Sequence, residues 1–398
     1  LFYLHASMNF ERYIADKISS STDGSFTGLI VKIAIAAVAL SMMVMIITTN
    51  VITGFKNEIS NKVFDFWGHI HVSEGNQGDS FEATPFVLDQ ALIDTLSQIG
   101  PISFQRPRSL SNPEAVFPVR ETKGGIAHVD PYIVTSGILT DKKQFEAVWM
   151  KGITASLDSN RVKQFLKEGN YLDLSSEAPK RDMLISTIIA ERMQFEVGTK
   201  VIVNFIVGGD PIRRAFRVAG IYKTGLGEYD RRFGIVDMRV LQEVLGWDDN
   251  QVGGLEMHAE HLEDMDVLSD YIFFEKLPGN LYSNSVREKF YQIFEWLELQ
   301  NINERVLIIL MILVAMINMV TALLIFVLER TKMIGILKAL GAQDWSIRKI
   351  FMYNAARIII TGIVLGNMLA IGLCLLQKYT WHNCHCLDIH ATAYAYCK

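Results

Sequence analysis

Cysteine is nearly missing from this chain of 398 residues: Cys374 lies in an apolar run, and Cys384, Cys386 and Cys397 crowd the end. From Gly54 to Asn303 there is none, so that long region has no disulfides and folds by burial alone, whatever its compartment. Motifs for chemistry are missing too. No G-x-x-x-x-G-K-[ST] loop occurs, so the chain cannot bind ATP by that device, and neither G-x-S-x-G nor H-E-x-x-H is present. No catalytic residue is assigned. The nearest glycine cluster, GIYKTGLGEYD, lacks the Gly-Lys-Ser/Thr ending and is expected to be a turn between strand and loop. A net charge of −5, with no basic face interleaved with aromatics, speaks against nucleic acid.

Metal-ligand spacing is also wanting. His69 and His71 share one face if they lie on a strand, and His258 and His261 converge with Glu260 and Glu263 only if that stretch is helical. Neither pair has a third ligand or a supporting shell, so all four are expected to be solvated surface histidines and no metal is assigned. The C-terminal WHNCHCLDIHATAYAYCK holds His382, Cys384, His385, Cys386 and His390 in no standard zinc spacing, and is expected to be an incidental tail.

What is abundant is apolar sequence: half the residues are hydrophobic and the mean hydropathy is +0.21. That balance suits a few membrane spans joined to a large soluble domain. Residues 29–52, 306–328 and 351–377 each hold a run close to the ~20 apolar residues that cross a hydrocarbon layer. The loop at 329–350 carries Arg330, Lys332, Lys338, Arg348 and Lys349 against Glu329 and Asp344, which places it on the cytoplasmic side, with residues 1–28. Residues 53–305 then lie outside and are expected to form an α+β domain of two subdomains, about 68–175 and 180–300, linked through NYLDLSSEAPKRD. HIHVS, AHVDPYIVTSGILT, FEAVWMKGI, TKVIVNFIV and AFRVAGIYKT carry strand patterns, the last two around a GGDP turn. VLDQALIDTLSQI and DMRVLQEVLG carry helical ones, DMLISTIIAERMQF turns from strand to helix, and SNSVREKFYQIFEWLELQ is expected to be one amphipathic helix leading into the second span.

Within the spans, Asn318 and Thr321 lie three apart on one helical face and are expected to hydrogen-bond to a neighbouring helix. Gly362 and Gly366 form a G-x-x-x-G step that permits close backbone approach. The loop ERTKMIGILKALGAQDWSIRKIF is more elaborate than a connector needs. Met333, Ile336, Leu337 and Leu340 fall at i, i+3, i+4 and i+7, one apolar stripe on a short helix flanked by Arg330, Lys332 and Lys338. Gly341 is placed to end that helix in a left-handed cap, and Asp344 to cap the next one. Such a helix either lies on lipid headgroups or docks on a cytoplasmic partner.

That loop, between an apolar span and a glycine-containing one, resembles the FtsX-like permease domain. VITGFKNEISNKVFDFWGHIHV and FRVAGIYKTGLGEYDRRFGIVDMRVLQEVLGW are similar to the lipoprotein-release (LolC/LolE) permeases with their MacB-type periplasmic core, and the order of elements agrees from about Met8 to Lys378. The resemblance implies a membrane subunit of a mechanotransmission ABC transporter in a bacterial inner membrane. It has no cofactor of its own; ATP and Mg would be bound by a separate ATPase dimer docked on Arg330, Met333, Ile336, Leu337, Lys338, Leu340 and Gly341. A second permease subunit, the same chain or a paralogue, a lipoprotein substrate and a periplasmic carrier are the other implied partners. Met42, Met43 and Met45 of the first span and Met311, Met316 and Met319 of the second are candidate contacts to substrate acyl chains. The family has four spans. Here residues 378–398 stand where its last helix is expected, and LFYLHAS has the look of an over-extended start. Two other readings are export of a small molecule or peptide by the same kind of permease, and a membrane-anchored periplasmic sensor or enzyme.

Overall fold

The structure is a computed structural model that describes residues 26–75, 84–109, 112–141 and 144–383. The tail from Cys384 to Lys398 and the start of the chain lie outside the described residues. The chain divides into two compact units, residues 59–294 and the remainder on either side.

Helices longer than any bilayer requires dominate the second of these. α1 runs Phe26–Trp67, and at 42 residues it spans about 60 Å, twice the ~30 Å hydrocarbon thickness. It does not end at the apolar boundary near residue 52, because VITGFKNEISNKVFDFW has no proline and keeps helix-forming residues up to Gly68. Three helices among the described residues, covering Val31–Trp67, Tyr291–Glu329 and Asp344–Gln377, are long and apolar enough to cross a membrane.

Residues 59–294 form an α+β unit. In chain order its strands are β1 (Ile70–Glu74), β2 (Phe86–Val87), β3 (Ser103–Phe104), β4 (Pro107–Ser109), β5 (Asn112–Val116), β6 (Arg120–Glu121), β7 (Ile126–Asp141) and β8 (Gln144–Ile153). They continue with β9 (Leu166–Gly169), β10 (Asp182–Ser186), β11 (Lys200–Val207), β12 (Asp210–Tyr222), β13 (Phe233–Asp237), β14 (Gln251–Val252), β15 (Gly254–Ala259) and β16 (Leu281–Ser285). The helices between them are α2 (Gln90–Ser97), α3 (Ser159–Lys163), α4 (Thr187–Met193), α5 (Gly227–Arg232), α6 (Met238–Leu245), α7 (Met265–Tyr271) and α8 (Val286–Lys289). Then come α9 (Tyr291–Glu329), α10 (Thr331–Ala339) and α11 (Asp344–Asn383).

One sheet organises the unit, in the order β11-β12-β10-β13-β8-β7-β15-β1-β16. The far half of β7 also pairs with β11, through Ile202↔Thr140 to Asn204↔Ile138, so six strands close on themselves. β15, β1 and β16 continue from the near half of β7. The stretch between residues 170 and 182 does not separate two sheets: β10 and β13, which follow it, pair with each other, and β13 pairs with β8, which precedes it. Trp67, Met150, Tyr222 and Phe233 are among the buried residues of a single core.

Two local expectations are corrected. SNSVREKFYQIFEWLELQ is not one helix: Leu281–Ser285 is a strand paired with β1, α8 is a single turn capped by Ser285, and Phe290 breaks the helix before α9 starts. The amphipathic spacing is real, but β1 offers an edge whose backbone groups the strand satisfies. GLGEYD is not loop throughout, since α5 begins at Gly227. Its glycines wrap a buried carboxylate: Asp230 accepts from the Thr224 and Gly225 N–H groups and from the Thr224 hydroxyl at 2.7–3.0 Å.

The histidines are the largest correction. His69, His71 and His258 are buried rather than solvated, at 8%, 2% and 2% exposure, and His258 lies on β15 rather than on a helix. The strand places inward those residues that a helical reading leaves on the surface. His69 Nδ1 accepts from the Ala259 N–H at 2.9 Å, and His258 Nδ1 lies 2.6 Å from the Arg161 guanidinium. Burial first, and Arg161 second, push the His69 ring down to about 4 and His258 lower still; burial also holds His71 well below the ordinary imidazole value. No cluster of three metal-ligand side chains occurs among the described residues.

These rings are neutral in the folded chain and protonate near pH 6.5 once unfolded, so their contribution is whole above that value and is lost as pH falls toward 4. Buried Glu256, pushed up to about 7 by desolvation, works in the opposite sense, but the three histidines together outweigh it. The thermal midpoint of the detergent-solubilised protein is expected to drop steadily from pH 6.5 to 4.5. His69→Gln should remove on the order of 2 kcal/mol from the stability lost between pH 6.5 and 4.5. A midpoint that holds or rises over that range contradicts the reading.

Candidate functional site: the helix between the second and third long helices

Helix α10 follows α9 after a break at Arg330, which is half-buried and whose Nε finds no partner among the described residues. The helix is short because its end is signalled. Gly341 adopts φ +89°, and the Gly341 and Ala342 N–H groups donate back to the Lys338 and Leu337 carbonyls at 3.0 and 2.9 Å. Asp344 is the first residue of α11 rather than the cap before it, and it pairs with Lys338 at 2.8 Å, both side chains being exposed.

The apolar stripe divides into two rows. Met333 and Leu337 turn inward against Phe326 and Ile350, with Val31 and Phe351 alongside. Phe326 and Phe351 meet edge to face at 5.6 Å. Ile336 and Leu340 form the second row and are 62% and 79% exposed, and Trp345 at the start of α11 is exposed as well, at 60%. The stripe is wider than one contact can cover, so one row fastens the helix to its own chain and the other is presented outward. Lys332, Lys338 and Arg348 are exposed around it. Trp345 is the member of this surface that the heptad-like spacing did not reveal.

Packing among the long helices uses small residues. A Cβ on Gly362 would come within 2.8 Å of the Val38 side chain, and one on Gly366 within 2.6 Å of the Ala39 carbonyl, so both glycines lie against α1. Ala34, Ala322 and Ile358 form the three-helix contact, with Met319 beside them. Asn318 and Thr321 do not take part: both are exposed, and the Thr321 hydroxyl bonds its own helix at the Ile317 carbonyl, 2.9 Å away. Of the six methionines, Met42 lies against Gly366 and Met319 in the helix contact, while Met316 is 56% exposed and Met43, Met45 and Met311 are half-buried.

A second constellation was not anticipated. Lys151 on β8 and Glu256 on β15 form an ion pair at 2.7 Å, each side chain 3% exposed. Burial pulls Lys151 down and pushes Glu256 up, and the partner's charge opposes each shift. Lys289, at the end of α8, is drawn down to about 8 by burial, against the attraction of Glu256. The signal available in sequence was a charged residue flanked by apolar ones, Lys151 in VWMKGI and Glu256 in GLEMHA.

The profile described as MacB-like periplasmic core domain matches residues 33–272, and that described as FtsX-like permease C-terminal matches residues 305–383. The lipoprotein-releasing system transmembrane protein LolC of Neisseria meningitidis serogroup B is 24% identical over 83% of this chain and 74% of its own length. LolE of Haemophilus influenzae is 21% identical over 87% of this chain and 78% of its own. The extracellular domain of the noncanonic ABC-type transporter YknZ from Gram-positive bacteria aligns at 14% identity and a TM-score of 0.33, over 54% of this chain and 98% of that one, which adds nothing to the assignment. With one profile covering more than half its length and the second matching the very segment that holds α10, this chain belongs to the family of FtsX-like ABC-transporter permeases with a MacB-like periplasmic core.

Proposed function

We propose that this chain is the membrane subunit of a lipoprotein-releasing ABC transporter in a bacterial inner membrane, worked by an ATPase on a separate chain. The relatives named for lipoprotein release support the substrate class. The observation that carries the coupling is the outward row of Ile336 and Leu340, with Trp345 also exposed nearby in sequence, on a capped, ion-paired corner between two helices able to span a membrane. An exposed apolar row with cations around it suits a groove on an acidic-rimmed cytoplasmic partner, and Met333 and Leu337 pass its displacement to α9 and α11.

On this reading residues 29–52, 306–328 and 351–377 cross the bilayer and the 59–294 unit faces the periplasm. ATP and Mg stay on the partner dimer, a second permease completes the membrane core, and a periplasmic carrier accepts the released lipoprotein. Met316, exposed on α9, is the best placed of the methionines to meet an acyl chain, whereas Met42 and Met319 serve helix packing.

Purification of the tagged chain from membranes, followed by ATPase assay, tests the coupling. The double variant Ile336→Asp/Leu340→Asp removes only exposed apolar surface. It should keep its thermal midpoint while co-purified ATPase activity falls about tenfold, equivalent to ~1.4 kcal/mol of docking energy. Leu337→Asp, on the packed row, should instead lower the midpoint. ATPase activity that never co-purifies with the parent chain, or that the double variant retains in full, overturns the reading.

A further inference from the structure

The last carbonyls of a helix need partners from outside it. At the end of α1 the Phe64 carbonyl takes the Gly68 N–H at 2.7 Å, and the Phe66 carbonyl takes the Lys151 ammonium at 2.5 Å. That ammonium also lies 4.9 Å from the Phe66 ring centroid and 4.5 Å from that of Trp67, and Glu256 holds it from the other side. A cation at this position also meets the negative end of the helix dipole.

The approach to α9 ends in the same cluster. Lys289 Nζ lies 3.5 Å from His71 Nδ1 and 5.8 Å from the Trp67 ring centroid, and its charge is attracted by Glu256. Phe290 packs on Trp67 at 5.5 Å and Phe294 stacks on Phe64 at 5.6 Å. The Lys151–Glu256 pair thus holds the end of α1, and Lys289 brings a second cation to the same aromatic cluster at the entry to α9. For stability alone the pair is a poor choice, because well-packed apolar residues in place of a buried ion pair are commonly as stable or more so. What the pair supplies and an apolar contact does not is a fixed geometry: a directional bond to one carbonyl and a charge that tolerates no slippage.

We propose that Lys151 and Glu256 are positioning residues that lock the Trp67 end of α1 to the sheet, so that a displacement carried along α1 moves the sheet instead of being absorbed at the helix end. This rests on the permease reading and adds the residues at which force enters the 59–294 unit. The test uses the full chain in its membrane complex. The double variant Lys151→Met/Glu256→Leu should hold or raise the thermal midpoint and keep ATP hydrolysis within about twofold, while lipoprotein release to a carrier falls at least about tenfold. In the same variant, amide hydrogen exchange over residues 62–68 should speed up about tenfold or more, with the β7–β8 amides unchanged. Glu256→Gln, which leaves an acceptor in place and should fold, is expected to show the same separation of hydrolysis from release to a smaller degree. Release at the parent level in either folded variant, or unchanged exchange at residues 62–68, overturns the proposal. Failure of the permease reading shows elsewhere, as a parent complex without ATPase activity, and the exchange measurement still decides whether Lys151 holds the helix end.

Discussion

An α-helix carries displacement along its axis because every interior N–H is bonded to the carbonyl four residues earlier, and the ladder resists both stretching and bending. α1 keeps that ladder for 42 residues and α9 for 39, each well past the point at which the apolar sequence gives out. The rest of the architecture is arranged around this continuity. Small residues bring the long helices into contact at Ala34, Ala39, Ala322, Gly362 and Gly366. α10 turns the chain between α9 and α11 with one apolar row bound inward and one exposed. At the other end α1 stops in a core of aromatic rings and buried charge rather than in a loop.

Much of this was legible from residue patterns. The runs at 29–52, 306–328 and 351–377 all lie in helices long and apolar enough to span a membrane, because an uninterrupted apolar run leaves the backbone few other options. The Gly341 cap followed from one glycine after a periodic segment, and the hairpin joining β11 to β12 from GGDP between two alternating stretches. Ser285 shows where such reading fails. Its neighbours have helical spacing, yet a strand edge from Ile70 to Glu74, more than two hundred residues away, claims them for the sheet. Local period cannot report a partner that distant.

The buried polar groups were illegible for a related reason. His69, His71 and His258 look like ordinary surface residues until β1, β15 and β7 pair and turn them inward. Lys151 and Glu256 stand 105 positions apart, and only the order β8-β7-β15 brings them within 2.7 Å. The split of the α10 stripe belongs with these cases: periodicity identified Met333, Ile336, Leu337 and Leu340 as one face, and only the packed neighbours show which two are spoken for. The consequence is practical, since the row that a partner can reach is not the row that folding uses.

If this chain moves lipoproteins out of the membrane in which it sits, as proposed above, its removal must change where they lie. Cells that depend on the chain should be depleted of it, and their inner and outer membranes separated while they still grow. Mature, acylated lipoproteins destined for the outer membrane should then accumulate in the inner one, with β-barrel proteins unaffected. Lipoproteins that reach the outer membrane at the normal rate throughout depletion would contradict it.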